Sequence, residues 1–291
     1  MPSDGMEPRP VTEFGTAEMP ELPEVETHIV ELRPLLKGRC VEGASVFWPR
    51  TIAEPDPDRF CDLVRGRRFG ELQRRAKYML LGLDAGWTLV VHLRMTGTLR
   101  VVPSDREMDR HTQVVLGLEG GEELRYLDLR KFGRFWLVRD ADRVLPPLGP
   151  EPLSRHFTGR WLHEVLARRQ AAIKAVLLDQ RVGAGVGNIY ADEALFRARI
   201  HPERPAATLT LKECQTLCRT VRHVLRTGIA WRGSFISSYA PPSGVPGRFQ
   251  ARHQVFRRTG EPCPRCRTVI ERIRVGQRST HYCPFCQRVA A

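Results

Sequence analysis

The chain contains no run of eighteen or more apolar residues, which excludes a transmembrane helix. Its first residues lack the apolar core of a secretory signal. Acidic residues are also in short supply. Against 46 Lys and Arg stand only 33 Asp and Glu, for a formal net charge of +13. The excess is mostly Arg, whose planar guanidinium suits bidentate contact with phosphate, so nucleic acid is the favoured partner. Cysteine is sparse until the C-terminus. Cys40, Cys61, Cys214 and Cys218 are scattered and read as buried thiols, whereas Cys263, Cys266, Cys283 and Cys286 form two CxxC pairs. Without a signal segment, that pattern indicates a metal site in a reducing cytosol and not a disulfide framework. With 291 residues there is room for two domains plus a small appendage, and core enough to fold without cross-links.

Along the chain, Leu22, Val25, Ile29 and Leu32 recur at helical spacing. Pro23 suits a first helical turn, and Pro34 is expected to end the helix near Arg33. From about 38 to 140, short β-rich runs such as YMLLGL, WTLVVHLRM, QVVLGL and GRFWLV alternate with Gly, Asp and Pro, the rhythm of a β-sandwich or flattened barrel. The Pro-rich LPPLGPEPLS (145–154) marks a domain boundary. Helical patterns follow at 158–168, 171–180, 188–198 and 208–227, then a Pro- and Gly-containing loop at 232–250 and the cysteine module. There is no internal repeat.

The most specific motif is CPRC-x16-CPFC. Two CxxC knuckles place four thiolates around one ion. Zn2+ is the usual occupant, and with four protein ligands it is structural. An iron–sulfur cluster or a redox dithiol is the alternative. Arg278 falls at the tip of a basic hairpin between the knuckles, positioned either for phosphate or simply for solvent. GAGVGN (183–188) leads into a helix, where small residues let backbone N–H groups approach an anion. It is no P-loop, because the Lys-Ser/Thr ending is missing. Asn188 either caps that helix or contacts phosphate. Lys77 opens an apolar strand, as a snorkelling edge residue or as a positioned ammonium. Met95, in HLRMTG, and Arg130 and Phe132, in DLRKFG, are large side chains beside Gly turns. They are either core, or a wedge of the kind that fills a hole left by an extruded base.

Taken together and in order, PELPEVE, RRAKY, HLRMTG, DLRKFG, LGPEPLS, GVGNIYADEALF, IHP and the terminal knuckles resemble the formamidopyrimidine-DNA glycosylase/endonuclease VIII family, from Met19 to the last knuckle. Leu22 in the opening motif resembles the formamidopyrimidine branch. The resemblance implies an α+β multidomain fold. Residues 19–148 would form a catalytic β-sandwich with its N-terminal helix, 149–250 a helix–two-turn–helix domain with a lesion-capping loop, and 254–289 a zinc finger. It implies excision of oxidised purines from damaged double-stranded DNA by a monomer in the bacterial cytoplasm, with one structural Zn2+ held by Cys263, Cys266, Cys283 and Cys286. By the same resemblance, Pro20 is the nucleophile through a free secondary amine, Glu21 its acid/base, and Glu24 a second carboxylate near the site. Lys77 and Arg278 assist the β- and δ-eliminations at the DNA backbone. His111, Arg130, Lys131, Asn188 and Lys174 match DNA-contacting positions, and Met95, Arg130 and Phe132 the void-filling set.

An α-amino group has a reference pKa of about 8, well below that of lysine, so more of it is neutral and nucleophilic at pH 7. Proline inside a chain has no such amine. The functional chain is therefore expected to begin at Met19, with Met19 then removed and residues 1–18 an extension that is disordered or untranslated. Two further departures from the family pattern stand out. RGSF puts Ser234 and Phe235 where a Thr pair is common, and Gln170 replaces a lysine beside Arg168 and Arg169. These departures keep two rivals open: a glycosylase for oxidised pyrimidines, and a catalytically silent DNA-binding relative.

Overall fold

The computed structural model describes residues 19–234 and 242–288. The extension at 1–18, and Phe235 with the rest of the stretch to 241, lie outside the described residues. Helix α1 (Leu22–Leu36) leads the fold. It buries Leu22, Val25, Ile29, Leu32 and Leu36 completely, the stripe that the sequence spacing anticipates. Contrary to expectation, the helix runs through Pro34. Proline there removes only the hydrogen bond to the carbonyl of Val30, on an exposed face where water replaces it, and Lys37 N–H still bonds the Arg33 carbonyl at 3.1 Å.

Two sheets follow. β1 (Val41–Val46), β7 (Thr112–Leu118), β8 (Glu122–Asp128) and β6 (Gly97–Pro103) form one, in that spatial order. β2 (Ile52–Glu54), β9 (Arg134–Val138), β5 (Thr88–His92), β4 (Tyr78–Leu83) and β3 (Phe69–Arg75) form the other. All pairings are antiparallel except β2 with β9. A short helix, α2 (Pro57–Val64), is unanticipated by the sequence pattern; Asp56 caps it and Phe60 and Val64 anchor it. The second domain comprises α3 (Gly159–Leu166), α4 (Ile173–Leu178), α5 (Asn188–Ala198) and α6 (Leu211–Ala230). The chain then closes in a hairpin of β10 (Glu271–Val275) and β11 (Arg278–Tyr282). Cys214 and Cys218 are buried as expected, while Cys40 and Cys61 are half-buried.

Helix α1 packs on β3 and β6 on one side and on α6 on the other, so a single apolar core runs through both domains. The Pro-rich connection is pinned as well. Glu151 accepts from Arg74 at 2.8 Å, Arg75 at 3.1 Å and the Ala76 N–H at 2.6 Å. Those bonds fix the RRAK turn, and with it Lys77, against the root of the second domain.

Candidate active site and zinc finger

The two domains and the hairpin enclose a cleft of about 620 Å³. Six of the expected residues line it together: Glu21, Lys77, Met95, Phe132, Asn188 and Arg278. They come from six separate stretches, and each is held for a local reason.

Glu21 immediately precedes α1, and its carboxylate reaches across to the start of α5. It accepts from the N–H groups of Gly187 at 2.7 Å and Ile189 at 2.9 Å, with Tyr190 N–H at 3.5 Å. The GAGVGN turn is therefore an anion site, as its composition indicates, but the anion is the protein's own carboxylate. A phosphate is not what these groups bind. This corrects the sequence reading and explains the glycines. A Cβ on Gly187 would stand 2.3 Å from the Glu21 carboxyl carbon, and one on Gly185, whose φ is +85°, would stand 2.8 Å from Leu22. Gly187, not Asn188, is the N-cap, which leaves the Asn188 side chain on the cleft wall.

Glu24 lies behind this wall, fully buried. It accepts from Tyr190 OH at 2.8 Å, Ser234 N–H at 2.8 Å and Glu21 N–H at 3.0 Å. Burial raises its pKa above the ordinary carboxylate value, and those three bonds oppose the rise. Its place is that of a brace between α1, α5 and the end of α6.

On the opposite wall, Asp128 organises the DLRKFG turn. It accepts from Tyr126 OH at 3.1 Å and from the N–H groups of Arg130 and Gly133 at 3.2 and 2.8 Å. Thr96 Oγ also donates to it. The turn is thereby rigid while Leu129 and Phe132 stand out from it, 59% and 47% exposed. Neither is core. Arg130 stacks over the Phe132 ring at 4.8 Å, and Lys131 over Trp48 at 4.4 Å, outside the cleft proper. His111 sits on the β7 approach beside Arg110.

Lys174 is placed elsewhere. It is 0% exposed and paired with Asp192 at 2.5 Å, so as a buried, neutralised ammonium it offers nothing to a phosphate. The DNA-contact reading of Lys174 is corrected accordingly. Pro20 is buried beside Glu21, its nitrogen in amide linkage to Met19, which itself lines the cleft.

Sequence reasoning passed over His92, Tyr78, Arg94 and Arg134, which also line the cleft. His92 was in view in the HLRMTG motif, but only Met95 was singled out. Its Nδ1 accepts from Arg94 N–H at 3.0 Å, which leaves Nε2–H as the ring's donor. Burial first, then Arg94 and Lys77, push its pKa down to about 3.

Burial likewise holds His28 at about 4 and His253 at about 3. Below pH 6.5 the unfolded chain binds protons at these imidazoles that the folded chain refuses, so acid favours unfolding. Each costs about 1.4 kcal/mol per pH unit until its folded value is reached. The raised carboxyls Glu24 and Glu193 act in the opposite sense, since acid protonates them first in the folded state. The histidine effect is best read as a difference. His28→Gln is expected to flatten the fall in unfolding free energy between pH 6.5 and 4.5 by about 1 kcal/mol per unit. Parallel profiles for the variant and the parent in denaturant titrations would refute it.

In the finger, the sulfurs of Cys263, Cys266, Cys283 and Cys286 lie within 4.8 Å of one another, with Cys263–Cys286 at 3.9 Å and Cys266–Cys283 at 3.4 Å. A tetrahedron with Zn–S bonds of about 2.3 Å has edges of about 3.8 Å, so the donor set fits. Arg265 and Cys286 N–H groups donate to the Cys263 and Cys283 sulfurs at 3.4 Å.

Three family models cover the chain: the formamidopyrimidine-DNA glycosylase N-terminal domain at residues 19–135, its H2TH domain at 148–240, and the zinc finger found in FPG and IleRS at 260–289. The formamidopyrimidine-DNA glycosylase of Chloroflexus aurantiacus is 48% identical over 92% of this chain and 98% of its own length. That of Herpetosiphon aurantiacus is 49% identical over 92% of this chain and 100% of its own.

The chain belongs to the formamidopyrimidine-DNA glycosylase family.

Its fold agrees. The MutM (FPG) protein of Thermus thermophilus superposes with a TM-score of 0.84 at 44% identity, covering 94% of this chain and 100% of that one. A Lactococcus lactis Fpg solved with DNA containing an abasic site gives 0.86 at 33% identity, over 92% of this chain and 100% of that one. The β-sandwich, helix–two-turn–helix and zinc-finger architecture implied by the sequence is thus the observed one. As a member of this family the chain is a glycosylase, and its finger carries one structural zinc.

Proposed function

We propose that the protein excises oxidised purines, 8-oxoguanine and formamidopyrimidines, from duplex DNA and then cleaves the strand by β,δ-elimination. The observation that carries this reading is the convergence of the Glu21 carboxylate, Lys77, Asn188 and Arg278 on one cleft beside Pro20. The Pro20 amine attacks the sugar C1′, and the bond to the damaged base breaks. Glu21 exchanges a proton as the sugar ring opens, and an iminium forms. That cation acidifies the neighbouring C2′ proton, so its loss expels the 3′ phosphate. A second elimination expels the 5′ phosphate, and hydrolysis releases Pro20. Lys77 and Arg278, placed about the same cleft, receive the phosphates as charge builds on them. Phe132 and Met95 fill the gap left by the extruded base.

Nucleophilic Pro20 requires a free amine, so the acting chain starts at Pro20, with Met19 and everything before it removed. It works as a monomer on DNA in the bacterial cytoplasm, in keeping with the net charge of +13.

Borohydride reduction on lesion-bearing duplexes tests the reading. Protein beginning at Pro20 is expected to give a covalent adduct through that residue, faster on 8-oxoguanine and formamidopyrimidine than on thymine glycol. Protein retaining Met19 is expected to give none. An adduct formed with Met19 in place, or a preference for thymine glycol, would overturn it.

A further inference from the structure

Helix α5 touches the active site at one end and the finger at the other. Its first turn receives Glu21. One turn later, Asp192 and Glu193 point their carboxylates toward the C-terminal module. Glu193 accepts from the N–H groups of Gln254, Val255 and Phe256 at 2.9 to 3.0 Å, which fixes the turn leading into the finger. Asp192 is 1% exposed, and its Oδ2 accepts the His281 backbone N–H at 2.9 Å and meets His281 Nδ1 at 3.1 Å. Its Oδ1 meets the Lys174 ammonium, which also donates to the Ser279 carbonyl at 3.0 Å. Residues 279 and 281 therefore flank Thr280 on β11, three positions at most beyond Arg278. The imidazole of His281 packs edge-on against Phe256 at 5.0 Å. At the tip, the nearest atom to a Cβ built on Gly276 is the Ala175 Cβ at 3.2 Å, so the turn lies directly on α4.

We infer that Asp192, with His281 and Lys174, is a positioning residue for Arg278: it clamps β11 to the helical domain so that the guanidinium is held across the cleft from Lys77. The inference rests on the proposed part of Arg278 in the second elimination. A zinc ion fixes the internal shape of the finger, and Arg265 and Gln287 tie its knuckles to the Phe196 and Ile200 carbonyls at the end of α5, but this clamp is what bonds β11 itself, the strand that Arg278 opens, to the helical domain. A buried ion pair whose remaining valences are spent on one strand gives that strand a single register, at a cost in desolvation that a stability role alone does not explain.

The readout is the ratio of β- to β,δ-elimination products on a duplex carrying an abasic site, with protein starting at Pro20. Asp192→Asn is expected to shift that ratio toward the β product by about tenfold, because a displacement of an ångström suffices to lose a positioned charge. His281→Phe, which keeps the ring contact with Phe256 and the backbone bond to Asp192, is expected to shift it by about threefold. Zinc stoichiometry and the rate of borohydride adduct formation are expected to stay at parental values in both. A parental product ratio in folded, zinc-loaded His281→Phe and Asp192→Asn overturns the inference, as does a uniform fall of every step. If Asp192→Asn does not fold, His281→Phe decides alone. Arg278→Ala serves as the control: an unchanged ratio there refutes the role of Arg278 itself, and the inference falls with it.

Discussion

Glu21→Gln is expected to slow release of the damaged base by at least about a hundredfold, the usual range for losing a positioned acid/base. The geometry makes this substitution unusually severe. Both carboxylate oxygens of Glu21 accept backbone N–H groups at the start of α5, Gly187 on one and Ile189 on the other. Glutamine has one acceptor oxygen, so its NH2 would face a second donor at the positive end of a helix, where negative charge is favoured. The variant loses the proton exchange, and it also loses the anchor that registers Pro20 against Asn188. The two losses are separable. On a duplex with a ready-made abasic site the base is already gone, so the remaining defect in borohydride trapping measures imine chemistry alone and is expected to be smaller. Single-turnover excision within tenfold of the parental rate would exclude Glu21 as the acid/base.

Removing the metal is expected to have an effect of similar size on binding. The finger's own core among the described residues is Phe196, Val255, Cys263, Ile270 and Cys283, two of which are ligands and one of which belongs to α5. So small a core does not hold a hairpin unaided, and the free energy of zinc binding is then the free energy of folding the module. Cys283→Ser, or exhaustive chelation, is expected to unfold β10 and β11 and weaken binding to abasic duplex by about a hundredfold or more, as several phosphate contacts are lost together. The sandwich and helices, joined by their own core, are expected to keep their far-ultraviolet signature and most of their cooperative transition. Gel shift at fixed salt, alongside circular dichroism, reads both. Undiminished affinity in the metal-free protein would show that the finger does not contribute to DNA binding.

Local pattern and global placement contributed differently to the site. Helix α1, the strands of the sandwich and the four cysteines were legible because each is encoded by spacing within a few residues: a 3.6-residue stripe, a two-residue alternation, a CxxC turn. Even so, the pattern erred where local rules meet solvent. Pro34 was read as a stop, yet a proline in the last turns of an exposed face sacrifices one bond that water replaces. Helix α2 carries its apolar stripe of Phe60, Cys61, Leu63 and Val64 on only 8 residues, too short a run to stand out from the strand pattern around it. GAGVGN shows how far composition reaches. The glycines correctly announced an anion at a helix start, but whether that anion is a phosphate or a side chain 166 residues away depends on the path of the chain.

The same holds for lysine. In the sequence, Lys77 is matched to the elimination chemistry and Lys174 to a DNA contact, and nothing local to either says which one reaches the cleft. In the fold, Lys77 lines the cleft, while Lys174 is sealed against Asp192. Burial and charge pairing are properties of several segments at once, and no single segment carries them. His92 was missed for a related reason, since a strand's alternation says that a residue faces inward without saying that the interior there is a cleft. The sequence by itself determined the family, the zinc ligands and the order of the parts. Only the tertiary structure decided which carboxylate caps α5, which lysine lines the cleft and which histidine faces it, because each depends on contacts between segments that the chain's local chemistry does not encode.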